Sequence, residues 1–230
     1  MAANETSFTE LVGVPVHYDR SDDDSYGTKG IPYEFYCTNK LRDKLIDCFT
    51  DLFNRWPYGQ PELILSAGTT GDNENQHGKG LAFDLDGFFL SSGRFMMNEY
   101  PERQLDYIGI NAHLFLYFSQ VLGFHYPKHH DHFHVDFNFS MSYRTASNAQ
   151  TFFVQSALVY LFEQELGTYG TEKDGVDGIY GDVTRSSVLK VLKLLDLNGQ
   201  GGLTEGAVWK AFLTQVRDQC FSSEDKILFA

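Results

Sequence analysis

The residue types able to do chemistry are concentrated in two places. Five of the eight histidines fall within ten residues: His125, His129, His130, His132 and His134. A sixth, His77, precedes Asp84 by seven positions in His77-Gly-Lys-Gly-Leu-Ala-Phe-Asp84. A catalytic zinc ion takes three protein donors, typically imidazoles and a carboxylate, and keeps a fourth position for water. His77, Asp84 and His134 would supply such a set. An ion held this way polarises a peptide carbonyl and lowers the pKa of its water to about 7. Hydrolysis also needs a base to take the water's proton, and Asp131 and His132 flank the third ligand. Each feature has a plainer explanation on its own: a surface histidine patch, a loop hydrogen bond between His77 and Asp84, solvated carboxylates at Asp84 and Asp86. Their joint occurrence favours a metal site.

Two strands must position these groups. Leu81–Leu90 alternates, with Leu81, Phe83 and Leu85 on one face and Ala82, Asp84 and Asp86 on the other. His132–Phe139 alternates as well: Phe133, Val135, Phe137 and Phe139 share one face, and His132, His134, Asp136 and Asn138 share the other. Antiparallel pairing would set Asp84 beside His134. His77 lies on the preceding loop, 67–80, whose glycines and asparagines (Asn73 among them) are turn formers.

Around these strands the spacing predicts a helix from Thr38, carrying Leu41, Leu45, Cys48, Phe49, Leu52, Phe53 and Trp56 and ending at Pro57. A short strand is expected at Glu62–Ser66. A helix is expected over Leu105–Leu122, closed by Gly123 and weakened at Gly109. Residues 1–30, polar and acidic with Asp22-Asp23-Asp24, suggest an arm or a loose first loop. After a polar linker near Ser142–Gln150 come three helical patterns around Val154–Leu161, Val188–Leu195 and Val208–Val216, with a glycine-rich loop, Gly167–Gly181, between the first two. The fold class is α+β: a small antiparallel sheet flanked by helices and carrying the zinc site, then a small three-helix domain. The domains are 1–144, with its core about 30–140, and 150–230.

Composition excludes several function classes. The formal charge is −13, and both parts are acidic: 11 basic against 20 acidic residues through Arg144, and 7 against 11 after it. No basic stripe serves nucleic acid or anionic lipid. Cys37, Cys48 and Cys220 have no CxxC spacing, so a thiolate zinc site is not expected. A Cys37–Cys48 bridge is conceivable, but buried free thiols fit better. MAANETSFTELVG has neither the basic nor the apolar region of a secretory signal, and no apolar run approaches bilayer length. The expectation is synthesis in the cytoplasm and, for an outside substrate, delivery by other means.

At these residues the chain resembles a known family. His77-x6-Asp84 followed by Asp131-His132-Phe133-His134 is similar to the D-Ala-D-Ala metallopeptidases of the lysostaphin/carboxypeptidase/hedgehog superfamily, over about residues 60–140. Gly123–Phe137 looks most like the extensin-like C-terminal branch. The resemblance implies zinc on His77, Asp84 and His134, and a general base three residues before the last ligand, at Asp131. In the related His-x-His branch the first His assists, here His132. Asp131 leads by resemblance and His132 by strand geometry. Many members carry an Arg shortly before the first ligand; Ser66–Gln76 has none, which leaves an endopeptidase at least as consistent as a D,D-carboxypeptidase. Asp177-Gly-Ile-Tyr180-Gly-Asp-Val-Thr184 and Gly206-Ala-Val-Trp209 resemble the three-helix peptidoglycan-binding domain found beside cell-wall hydrolases. This implies substrate contacts at Asp177, Tyr180 and Trp209, against a purely structural role for the loop.

The leading expectation is a zinc peptidase cutting D-amino-acid-containing stem peptides or cross-links of peptidoglycan. Two other classes compete. One is a non-catalytic wall-binding protein with a closed, four-ligand structural zinc, in which His129 or His132 would be the fourth donor. The other is a metal-buffering protein using the histidine cluster. A phage endolysin released through a holin and an injected antibacterial effector, with its secretion machinery and immunity protein, are equally compatible settings.

Overall fold

The computed structural model describes residues 5–19, 26–71, 74–168, 174–197 and 201–222. The acidic run Asp22–Asp24 and Asn73 lie outside the described residues. The first segment is not a loose arm. It forms β1 (Thr6–Phe8), β2 (Glu10–Leu11) and β3 (Val14–Tyr18), followed by β4 (Ile31–Pro32) and β5 (Phe35–Cys37). Val14 and Val16 are buried and Pro15 between them is exposed, a strand alternation masked by the polar average of the segment.

Helix α1 (Asn39–Arg55) starts where the sequence places it. The Thr38 hydroxyl accepts from the Leu41 amide at 3.2 Å, satisfying one of the donors that a helix start leaves open. Its face Leu41, Leu45, Cys48, Phe49, Leu52 and Phe53 is buried, and Trp56, extended before Pro57, ends it. The central strands follow: β6 (Leu63–Gly68), β7 (Ala82–Leu90) and β8 (Gly93–Met96).

Helix α2 (Gln104–Tyr117) is shorter than its hydrophobic pattern. Phe118 is extended, and Gln120–Leu122 forms β9, paired antiparallel with β10 (Phe133–Asp136). Sheet pairing thus claims the end of the pattern. Strand β10 also ends early. The Asp136 carboxylate accepts from the Asn138 amide and the Ser119 hydroxyl from the Phe139 amide, so the chain turns away. Phe139 is therefore 45% exposed rather than part of the buried face.

The fold is α+β, with a larger and less uniform sheet than expected. Eight strands run in the order β2-β3-β6-β7-β10-β9, with β4 on β3 and β8 on β7. The β3–β6 pair is parallel and the other pairs of this sheet are antiparallel. β1 and β5 form a separate antiparallel pair.

Beyond the sheet lie α3 (Asn148–Ser156), prolonged by a wider turn at Ala157–Leu161, then α4 (Asp182–Leu194) and α5 (Gly206–Ser222). They do not form a core of their own. Every residue of α2 from Tyr107 to Phe115 is buried, because α5 covers the side that the rest of the core leaves open. The Trp209 ring lies 5.8 Å from Phe115, Arg217 bonds Asp51 of α1 at 3.3 Å, and a Cβ on Gly109 would come within 2.5 Å of the Phe221 ring. One large hydrophobic core runs from Phe8 to Phe221. The boundary near residues 144–150 therefore marks a change of motif within a shared core. Cys37, Cys48 and Cys220 are free and buried. Among the described residues no helix is long and apolar enough to cross a membrane.

Candidate metal centre

Strand pairing builds the site. β10 lies antiparallel to β7 with His134 opposite Asp84, while Phe133, opposite Leu85, and Val135, opposite Phe83, are buried in the core. Burial of such side chains stabilises by about 1.5–3 kcal/mol each, and a one-residue slip would turn every one of them outward. The hydrophobic pattern therefore sets the register that brings the two ligands together. On the other side of β7 the register with β6 shifts twice, between Leu65 and Ser66 and between Ser66 and Gly68, so that Gly68 faces Asp84. Such irregularities re-aim side chains at sites.

The third group arrives on a tight turn. Asn75 accepts from the Gly78 amide through its side chain (3.0 Å) and from the Lys79 amide through its carbonyl (3.2 Å). Gly80, at φ +63°, donates to the His77 carbonyl at 2.9 Å. The Gln76 amide bonds the Asn138 side chain at 3.0 Å, tying this turn to the end of β10.

The donor atoms converge. His77 Nε2 lies 3.2 Å from Asp84 Oδ1, His134 Nδ1 lies 2.9 Å from the same oxygen, and the two nitrogens are 3.1 Å apart. A tetrahedral zinc with bonds of about 2.0–2.1 Å separates its donors by about 3.3–3.4 Å, close to these three edges. His77, Asp84 and His134 form a group that could hold a metal ion. The three side chains are 12–17% exposed, so the site reaches solvent.

Asp136, which the sequence only placed on the same strand face, is the residue behind this group. It is 1% exposed, and its Oδ2 accepts from His134 Nε2 at 3.1 Å and from Gln120 at 3.2 Å, while Oδ1 accepts from the Asn138 amide at 2.8 Å. A carboxylate on the far nitrogen fixes the tautomer of an imidazole and raises its basicity, and Nδ1 faces Asp84 and His77. Burial pulls the His134 pKa down, but the bonds to Asp136 and Asp84 outweigh it and raise it to about 9. For Asp84, burial pushes the carboxyl up, and the bonds from His134 and His77 prevail and hold it well below the usual carboxylate range. The His-x-Asp spacing was the signal that could have found Asp136.

His132 and Asp131 have different places. Asp131 Oδ1 accepts a hydrogen bond from His132 Nδ1 at 2.8 Å, and His132 Nε2 stands 3.9 Å from Asp84 Oδ1. His132 therefore borders the metal group and Asp131 stands behind it. Neither joins the three converging donors. His129 bonds the Pro127 carbonyl through Nδ1 at 2.8 Å, and its ring lies 4.8 Å from that of His132. His125 stacks on Phe152 away from the group, and His130 is exposed. Asp86 is fully buried, not solvated.

The chain matches no protein-family profile, no curated protein and no solved structure. The family resemblance rests on the motif residues alone.

In the C-terminal segment, Trp209 is 2% exposed among Phe115, Tyr143, Phe153 and Phe212. It is a core residue and corrects the expectation of a substrate contact. Its indole packs with Phe212 and Leu213 on the apolar stripe that the helical spacing predicted, and this burial overrides the contact implied by the resemblance. Asp177 accepts from Gln155 and from the Ile179 amide, both at 2.8 Å, and so organises its own loop. Tyr180 is half-buried against Tyr143. Beside them a cleft of about 480 Å³ is lined by Leu166, Asp177, Ile179 and Val183.

Proposed function

We propose that this protein is a zinc-dependent peptidase of peptidoglycan stem peptides or cross-links. The observation that carries the reading is the convergence of His77, Asp84 and His134 to 2.9–3.2 Å, with His132 beside them and held from behind by Asp131. Two imidazoles and a carboxylate are the donor set of hydrolytic zinc sites, and a set of three leaves room for water. When bound, zinc supplies a Lewis acid and a water of lowered pKa. The protein's own groups do the rest. Asp136 holds the proton of His134 on Nε2, so that Nδ1 presents its lone pair. Asp131 holds the proton of His132 on Nδ1, so that Nε2 accepts the proton of the attacking water and returns it to the leaving amine, an arrangement of base and orienting carboxylate common to hydrolases. Asp131 is thereby a positioning residue.

The wall substrate is supported by the two motif resemblances, which point separately to peptidoglycan. The cleft beside Asp177, with Ile179 53% and Val183 55% exposed, is a surface of the C-terminal segment that the polymer could reach. A closed structural zinc is less favoured, because the described donors that converge number three.

The test is digestion of muropeptides by zinc-loaded protein, read by mass spectrometry. Stem or cross-link cleavage is expected, lost on chelation and in Asp84→Ala. His132→Ala should lower kcat by about 10²–10⁴-fold, the usual worth of a general base, with zinc content unchanged. Intact muropeptides from several wall types at stoichiometric zinc would overturn the proposal.

A further inference from the structure

Arginine pairing singles out one residue near the site. Six described arginines lie within ion-pair distance of a carboxylate: Arg42, Arg55, Arg94, Arg103, Arg185 and Arg217. Arg144 is the described arginine that does not, in a chain of net charge −13 where acidic partners are in excess. Its guanidinium carbon lies over the Phe139 ring, 3.6 Å from the centroid, and its Nε is buried without a hydrogen-bond partner.

The placement is prepared by the fold. The Arg144 amide donates to Gln150 Oε1 at 2.8 Å, and Gln150 Nε2 donates to the Ser142 carbonyl at 3.0 Å, which pins this turn to α3. Phe139 follows Asn138, the residue that ties the His77 turn to the end of β10. Burial lowers the Arg144 pKa, and Asp136, the carboxylate behind His134, is the charge opposing that effect. Phe139 is 45% exposed, so the cation rests on an aromatic side chain that is open to solvent. Phe139 stands five positions after His134, which caps their Cα separation at about 17 Å. That is the reach of about five peptide residues.

We propose that Arg144, supported on Phe139, anchors a carboxylate of the peptide cleaved at the metal centre. This rests on the peptidase reading and adds to it: the substrate carries a free carboxylate within about five residues of the scissile bond and an apolar side chain beside it. A planar guanidinium with no internal partner matches a carboxylate through two parallel hydrogen bonds, and a cation already stacked on an aromatic ring loses little freedom when it binds.

The experiment measures binding and cleavage of matched probes by the zinc-loaded full chain. The probes are the stem tetrapeptide as free acid, its C-terminal amide, and the peptide with its internal D-Glu carboxylate amidated. The wild-type protein should bind one acid form about tenfold or more tightly than the corresponding amide, as expected for a charge-assisted pair. Arg144→Gln should abolish that discrimination and Arg144→Lys should retain part of it. The proposal is overturned if acid and amides bind alike in the wild type, or if the preference survives in a folded R144Q. Should R144Q fail to fold, the wild-type comparison and R144K decide. Acid-selective binding without cleavage would remove the peptidase reading and leave the anchor standing. Cleavage indifferent to the carboxylates would do the reverse.

Discussion

Asp136→Asn tests the logic of the metal centre without touching a ligand. Asn keeps the shape of Asp136 but has one acceptor where three donors now converge: His134 Nε2 and Gln120 Nε2 on Oδ2, and the Asn138 amide on Oδ1. The backbone amide cannot turn away, so the asparagine oxygen stays on it and the NH₂ faces His134. Nε2 must then accept, the ring proton moves to Nδ1, and the lone pair needed by the ion is lost. Loss of such an outer partner lowers zinc affinity by about 10–100-fold, or about 1.4–2.7 kcal/mol. The pH profile gives a second readout. Because the His134 pKa is raised to about 9, the metal-free protein holds a proton there that zinc must displace. Apparent affinity should rise about tenfold per pH unit toward pH 9 and level above it. In D136N, without the Asp136 bond, the rise should level at lower pH. Competition with a chelator at several pH values measures both effects. Zinc affinity and pH profile equal to wild type in D136N would refute the tautomer argument.

Two further predictions concern stability. His113 is fully buried, donates from Nε2 to the Cys48 carbonyl at 2.9 Å, and is pushed down by burial to about 4. Its folded pKa lies below the unfolded value of about 6.5, so the unfolded chain binds the extra proton between these values. Stability should be full above pH 6.5 and fall as pH drops toward 4, by on the order of 3 kcal/mol; urea unfolding at pH 7 and 4.5 measures it, and the fall should shrink in His113→Gln. Separately, a chain truncated at 146 should not fold cooperatively, because removing α5 exposes the face of α2 that holds Gly109 and leaves Asp51 without Arg217. A cooperative melt and dispersed NMR spectrum from that fragment would show that the part carrying the candidate metal group has a core of its own.

Much of the architecture was legible because hydrophobic spacing carries it. Thr38 capping, the apolar stripe of α1 and the alternation through Ala82–Leu90 and Phe133–Asp136 are local signals, and local signals survive folding. What escaped was decided by partners distant in the chain. Gln120–Leu122 continues the apolar run of α2, and only the presence of β10 alongside makes it a strand. Val14–Tyr18 is five residues in an acidic segment, and its place next to β6 depends on a pairing that no window of sequence contains. The same holds for the C-terminal helices: Val208, Trp209, Phe212 and Leu213 announce a buried face, but not that the face belongs to the core of α2.

The metal group was legible for a specific reason. Its ligands stand on strands whose other faces are strongly apolar, so Phe83, Leu85, Phe133 and Val135 dictate the register that sets Asp84 opposite His134. The roles of Asp131 and His132 could not be separated this way, because Asp131 precedes β10 and strand parity does not govern it. The tie from the Tyr26 hydroxyl to the Asp131 carbonyl, at 2.7 Å, fixes the chain at that point. With its backbone held there, the Asp131 carboxylate bonds His132 Nδ1 instead of joining the three converging donors, and the imidazole Nε2 faces Asp84 at 3.9 Å. The placement of Asp131 and His132 is therefore tied to a contact 105 residues away in sequence, which neither motif spacing nor strand alternation encodes.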